Sequence, residues 1–204
     1  MASPVEICNL ALDLIGQGTS INSMSEGTDR ARKCTLHYFP AVREVLRAGK
    51  WKTARKTVAL AQDSEAPAAK WAYRYALPAD YVRLVTFNDT DVDDVVDLQF
   101  TIEGKYLHTE ETTCTICYVA DLTIAPNDIN VSDPALTELF YLSLAIHLCW
   151  PFQQTTTLKQ TLQQEYERKL ARALSADARE AWDPMVNLRK DSDWLIARRF
   201  STNA

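Results

Sequence analysis

At 204 residues, with 47% hydrophobic and 24% charged residues, the chain has the makeup of a water-soluble globular protein that can bury a proper core. No apolar run approaches the ~20 residues of a membrane span, and the start, MASPVEICNL, carries no basic residues ahead of an apolar stretch. The expectation is therefore a soluble chain made in a cytoplasm, without signal peptide or membrane partner.

The net charge of −5 conceals a segregation: residues 28 to 60 hold nine basic residues against Asp29 and Glu44, and residues 80 to 133 hold twelve acidic residues against Arg83 and Lys105. Such separation sets a basic region against an acidic one in space or in role.

In chain order, SPVE offers Ser3 as an N-cap, Pro4 at the first helical position and Glu6 to complete a capping box. Val5, Cys8, Leu12 and Ile15 then mark one apolar face, and Gly16 ends this first helix. After the polar loop GQGTSINSMSEGT, a second helix is predicted from Ser25 or Thr28 to Ala48, with Gly49 just beyond it and Pro40 kinking it. From Trp51 to about Val131 the period shortens. TVALA, KWAYRYAL, YVRLVTF, VVDLQFTIEG, KYLHT and TCTICYVA read as strands separated by turn-rich pieces such as FNDTDVDD.

Asp133-Pro134 opens a third helix, ALTELFYLSLAIHLCW, apolar nearly all round and hence central, with Pro151 ending it. A fourth follows with Leu158, Leu162, Tyr166 and Leu170 on one face and Glu165 paired with Lys169 one turn on. After Trp182 the pattern dissolves into an extended arm anchored by Trp194, Leu195 and Phe200. The predicted fold class is α+β: an antiparallel four-helix bundle (1–50 with 133–182) with a β-sheet insertion between helices 2 and 3 (51–132), and an extended C-terminal arm (183–204).

Chemistry-bearing patterns are scarce. GQG lacks the further glycine or lysine of a phosphate loop, and no nucleophile elbow is present. DTDVDD begins like a calcium loop, but Asp94 stands where glycine is required and Phe100 where glutamate is. The five cysteines are an odd number among apolar neighbours, so buried thiols are expected. Cys114 and Cys117 fall on opposite faces of a strand, which suits neither a disulfide nor a zinc corner. The expectation is no enzyme, no metal and no cofactor. The basic run Arg43 to Lys56 suits phosphates, an acidic protein partner or simply a solvated helix end.

The ordered set of segments nevertheless resembles the head-to-tail adaptor proteins of tailed bacteriophages, the tail tubular protein A group. The resemblance is carried by ALDLIGQGTSINSMSEGT, FPAVREVLRAGKWKTARKTVAL, WAYRYALPADYVRLV, TIEGKYLHT and YVAD, followed by a Leu- and Ala-rich helix pair, and it spans about residues 5 to 200. The CTIC segment departs from the pattern.

The resemblance implies a structural virion protein of the viral tail. It implies a dodecameric ring joining a portal protein to the tail nozzle or tube, with genomic double-stranded DNA passing through the channel without sequence-specific binding. Under it, the arm would bind the portal through Leu188, Arg189, Trp194, Leu195, Arg198, Arg199 and Phe200. The β region would face the tail. Asp89, Asp91, Asp93, Asp94 and Asp97 would form an acidic turn toward the channel or nozzle, unless that turn is a solvated hairpin tip. Trp71, Tyr73, Tyr75, Pro78 and Tyr81 would fill the junction between bundle and β region. The alternatives are a tail-associated hydrolase of cell wall or capsule, or a DNA-binding module.

Overall fold

A computed structural model describes residues 3–65, 67, 70–94, 100–124 and 133–180. The four helices are α1 (Pro4–Leu14), α2 (Asp29–Ala48), α3 (Pro134–Gln153) and α4 (Thr156–Glu180). The strands are β1 (Arg55–Leu60), β2 (Tyr73–Ala76), β3 (Tyr81–Phe87), β4 (Thr90–Asp91), β5 (Phe100–Glu103), β6 (Tyr106–Thr109) and β7 (Cys114–Ala120).

Local signals set the helix starts. Ser3 and Glu6 form the reciprocal capping box, with Pro4 inside the first turn, and Gly16 takes φ +72° just past the end of α1. Thr28 caps α2 through the Ala31 N–H, and Asp133 caps α3 through the N–H groups of Ala135 and Leu136. One proline expectation is corrected. Pro151 does not end α3, which runs to Gln153 before Gln154 turns left-handed. A proline in the last turn loses one backbone hydrogen bond but keeps a helical φ. The helix α2 likewise continues through Pro40 without interruption.

The expected four-helix bundle with a single β-sheet insertion is overturned. Helix α3 is the hub against which α1, α2 and α4 each pack, and the β segments form two antiparallel sheets, ordered β1-β7-β3-β4 and β2-β6-β5. The four-stranded sheet has two apolar faces, so it needs cover on both sides. On one face Val82, Val85, Cys117 and Val119 join the helical core around Ile7, Leu12, Val45, Trp51, Leu139, Phe140 and Leu148. On the other, Leu84, Phe87, Ile116 and Tyr118 close on Tyr75, Phe100 and Leu107 of the second sheet. The helical and β regions thus share a core instead of meeting at a projection.

Register irregularities in β3, between Tyr81 and Arg83 and again between Leu84 and Thr86, let one strand feed both faces in this order. Each extra residue resets the two-residue alternation. The strand β7 needs no such device, because CTICYVA is apolar at almost every position.

By length and composition α3 alone among the described helices would suffice to cross a membrane, but nine of its side chains are buried inside the protein. Burial of each leucine there stabilises by roughly 1.5–3 kcal/mol, and this hub role explains its all-round apolarity. Lys169 pairs with Glu138 of α3 at 2.8 Å, not with Glu165, which meets Arg168 at 3.7 Å. Cross-helix reach outcompetes the expected pairing along the helix.

Candidate functional site: the charged seam between helix α2 and the sheets

The segregated charges of the sequence meet in space. At the C-terminal end of α2, Lys50 bridges two carboxylates of the acidic turn, Asp91 and Asp93, with Asp93 at 2.8 Å and Arg83 a further 3.8 Å from Asp93. About two turns earlier Arg43 donates through Nε to Asp121, whose carboxylate is buried and also accepts from the N–H and hydroxyl of Thr123. Lys56 of β1 pairs with Asp80 at 2.8 Å, and Asp80 takes a second hydrogen bond from the Tyr118 hydroxyl at 2.9 Å.

Two shallow clefts open along this seam. One of about 450 Å3 is lined by Gly49, Lys50, Arg55, Arg83, Asp91 and Asp177, and one of about 380 Å3 by Arg43, Arg47, Tyr81, Val82 and Asp121.

The electrostatics follow from these contacts. Burial works against the charged forms of both Lys50 and Asp91, but the hydrogen bonds between them prevail, so the Lys50 pKa is raised and the Asp91 pKa lowered. Burial, reinforced by the hydrogen bond to Asp80, pushes the Tyr118 phenol up to about 12.

The aromatic stretch around Pro78 has a different place from the one expected. Tyr73 and Tyr75 belong to the second sheet, and Tyr81 to the first; Leu77-Pro78 is where the chain crosses between them. Pro78 supplies a fixed φ, and its carbonyl accepts the Tyr81 N–H at 3.1 Å. Tyr75 is buried between the sheets with its hydroxyl on the Glu111 carbonyl, while Tyr73, Leu77 and Tyr81 pack at the margin of the same cluster. Trp71 lies outside both cores, half-exposed beneath the Lys70 ammonium, 4.6 Å from ring centre to nitrogen. Tyr75 therefore belongs to the intersheet core, with Tyr73 and Tyr81 at its margin. The helix–sheet junction is built instead by Trp51, whose indole N–H donates to the Val45 carbonyl, and by the valines of β3 and β7.

Of the acidic turn, Asp89 sits at the exposed tip of the β3–β4 hairpin, where Asn88 and Asp89 both take positive φ, 44° and 64°, as a two-residue hairpin turn of the primed type requires. Asp91 and Asp93 face the α2 end through Lys50. Asp97 lies outside the described residues, as does the side chain of Asp94. The arm, with Leu188, Arg189, Trp194, Leu195, Arg198, Arg199 and Phe200, also lies outside them. Residues that sequence reasoning passed over are Asp80, Asp121 and Trp51; the opposed charge blocks were the signal for the first two.

A second polar group lies between α2 and α3. Here His147 Nε2 is 3.0 Å from Glu44, the His37 and His147 rings stack at 6.0 Å, and the buried Ser143 hydroxyl reaches Glu44 and the Ala41 carbonyl, each at 3.4 Å. A nucleophilic serine needs the imidazole against its hydroxyl and the carboxylate behind the imidazole; here the carboxylate stands between them. Burial and the neighbouring His147 lower the His37 pKa.

Among the described residues no group of three or more His, Cys, Asp or Glu side chains stands together to hold a metal ion, and all five cysteines are free thiols. Cys114 is buried on the intersheet face and Cys117 lies on the helical face of β7. No family model matches this chain, and a search of curated proteins likewise finds no match.

Proposed function

We propose that this protein is a structural subunit of a phage tail, a head-to-tail adaptor that assembles as a ring between portal and nozzle or tube. The observation that carries the reading is the ordered run of segments from ALDLIGQGTSINSMSEGT to YVAD and the closing helix pair, spread over nearly the whole chain. The geometry of the seam is compatible with it. Arg43, Lys50 and Lys56, three of the six cations of the run from Arg43 to Lys56, are engaged with carboxylates of their own chain, which weakens the reading as a DNA-binding module. The seam carboxylates Asp91, Asp93 and Asp121 each face a cation, Lys50 or Arg43, which suits them to ion pairing and not to the general-acid role that cleavage of a polysaccharide requires.

In this reading the C-terminal arm engages the portal, DNA passes the ring without sequence-specific contacts, and the exposed β3–β4 hairpin tip at Asp89 faces the channel or nozzle. Electron microscopy of the purified chain mixed with portal rings from the same virion tests it. Twelvefold density capping the portal is the expected result. Portal rings that stay bare at saturating concentrations of this protein would sink the reading.

A further inference from the structure

We infer that an outward face of α1 on one copy docks on an outward face of α2 on the next, an acid-rimmed apolar strip against an arginine-rimmed one. The inference rests on the ring reading above and names the contact that would build it. Six large apolar side chains are exposed among the described residues, and four of them lie on these two helices: Leu10 and Leu14 at 40% and 38%, Leu36 and Phe39 at 68% and 42%.

Their neighbours complete the pattern. At about 100° per residue, Glu6, Leu10, Asp13 and Leu14 fall on one strip of α1, opposite the buried Cys8, Ala11, Leu12 and Ile15. Arg32, Leu36, Phe39, Arg43 and Arg47 fall likewise on one strip of α2, and all five are exposed. The sequence of α1 contains no basic residue, and the one acidic residue in line with the α2 strip, Asp29 at its N-terminal end, is paired with Lys33 at 2.9 Å.

The charges are available. Asp13, Arg32 and Arg47 form no ion pair among the described residues; Arg47 contributes only a long 3.4 Å bond to the Val82 carbonyl. Arg43 spends its Nε on Asp121 and its side chain is still 54% exposed. Each strip has an apolar centre and a charged rim, the anatomy of a protein interface, and the two rims have opposite sign.

A second copy of this chain carries the complement of both. Because the two strips are different surfaces, the contact is heterologous, and repetition of it closes a ring where the rotation permits. Two apolar residues a side make a small contact, so single pairs of subunits associate weakly and a ring is stabilised by closure or by a portal template.

The test uses two variants of the full chain. Asp13→Arg with Leu14→Arg disables the α1 strip and leaves α2 intact; Leu36→Asp with Phe39→Asp does the reverse. Sedimentation of the wild-type chain over rising concentration is expected to show self-association, weakened at least tenfold in each variant. An equimolar mixture of the two variants is expected to give a 1:1 heterodimer that grows no further, since one good strip remains on each partner.

Circular dichroism checks that both variants fold. If either does not, the charge reversals Asp13→Lys, or Arg32→Glu with Arg47→Glu, replace them, and the chain carrying all three regains association. Undiminished association in either variant overturns the inference, as does a wild-type chain that never self-associates, free or on portal. Salt-sensitive duplex DNA binding that only the α2 variant loses, with self-association untouched, assigns the arginine strip to phosphates instead and also overturns it. Wild-type rings unaffected by the substitutions leave the adaptor reading standing; bare portals with wild-type protein defeat that reading itself.

Discussion

The two faces of the four-stranded sheet are covered in different ways. Toward the helices the sheet presents small side chains, Val82, Val85, Cys117 and Val119, and the large side chains of that core, Trp51 and Phe140 among them, come from outside the sheet. Toward the second sheet it presents Leu84, Phe87, Ile116 and Tyr118, met by Tyr75 and Phe100, and the Phe87 and Phe100 rings lie 4.9 Å apart. Helices carry long side chains down to a sheet, so the sheet side stays small. Two short sheets facing each other need bulk from both, and aromatic rings supply it. The rim of each face is then tied by charge: Lys50 with Asp91 and Asp93 on the helical side, Lys56 with Asp80 and Tyr118 on the intersheet side.

The largest effect is expected where the helical face depends on one side chain. Trp51 is 1% exposed and hydrogen-bonded inside the core, so Trp51→Ala removes both packing and the buried indole donor to the Val45 carbonyl. It should cost about 3–5 kcal/mol in denaturant unfolding. Gly49 guards the same site. Its φ of −135° is extended backbone, but an added Cβ would stand 2.6 Å from the Trp51 ring and 2.7 Å from Leu174. The glycine is thus required by close packing, and Gly49→Ala should destabilise by roughly 1–3 kcal/mol. A loss below about 1 kcal/mol for Trp51→Ala would mean that the helix–sheet core does not hinge on this residue.

This glycine illustrates what the sequence could and could not convey. Its position at the end of α2 was legible from the helix period, while the reason for it was not, because Leu174 lies far along the chain. The capping box at Ser3 and Glu6, the start of α2 at Thr28 and the apolar hub α3 were legible because caps and helical faces are written within a few neighbouring residues.

Most strands were legible as alternating runs, but their partition into two sheets was not. Nothing local in WAYRYALPADYVRLV says that Tyr75 and Tyr81 belong to different sheets. The near-continuous apolarity of CTICYVA did carry the information that β7 is covered on both faces, and it bears directly on the rejected bundle. Of the candidate site, the opposed charge blocks were visible and their mutual pairing was not, since sequence gives sign but not distance.

On the intersheet face a milder effect is expected from Tyr118→Phe. The ring stays in its cluster, and Asp80 keeps Lys56 as partner, so the change isolates one charge-assisted hydrogen bond. A loss of about 1–2 kcal/mol is expected, together with loss from an ultraviolet pH titration of one of the two tyrosines, Tyr118 and Tyr166, whose phenols are pushed up to about 12. A fully neutral substitution would show that the Asp80 rim does not contribute to closing the two sheets. Comparison with Trp51→Ala would then place nearly all the stability on the helical face.

The smallest effect belongs to the acidic turn. The folded Asp91 pKa lies below its unfolded value because Lys50, against the opposing action of burial, stabilises the carboxylate. A depressed carboxylate contributes stability that is fully present above the unfolded pKa of about 4 and is lost as pH falls through the folded value. Lys50 itself has a raised pKa, so its contribution to the same pair persists through neutral pH and fades only as strongly basic pH deprotonates the amine. With Asp91 and Asp93 side chains 38% and 62% exposed, solvent screening holds the whole contribution to roughly a few tenths of a kcal/mol. Lys50→Met should therefore be slightly less stable than wild type at pH 7, with the gap closing on acidification below about pH 4 and shrinking in high salt. Wild type and variant measured side by side by urea unfolding at pH 7 and pH 3 decide the matter. A gap that stays constant between the two pH values would mean that Lys50 acts through its aliphatic stem against the cleft wall, and that the charges of the seam contribute nothing to holding the acidic turn on α2.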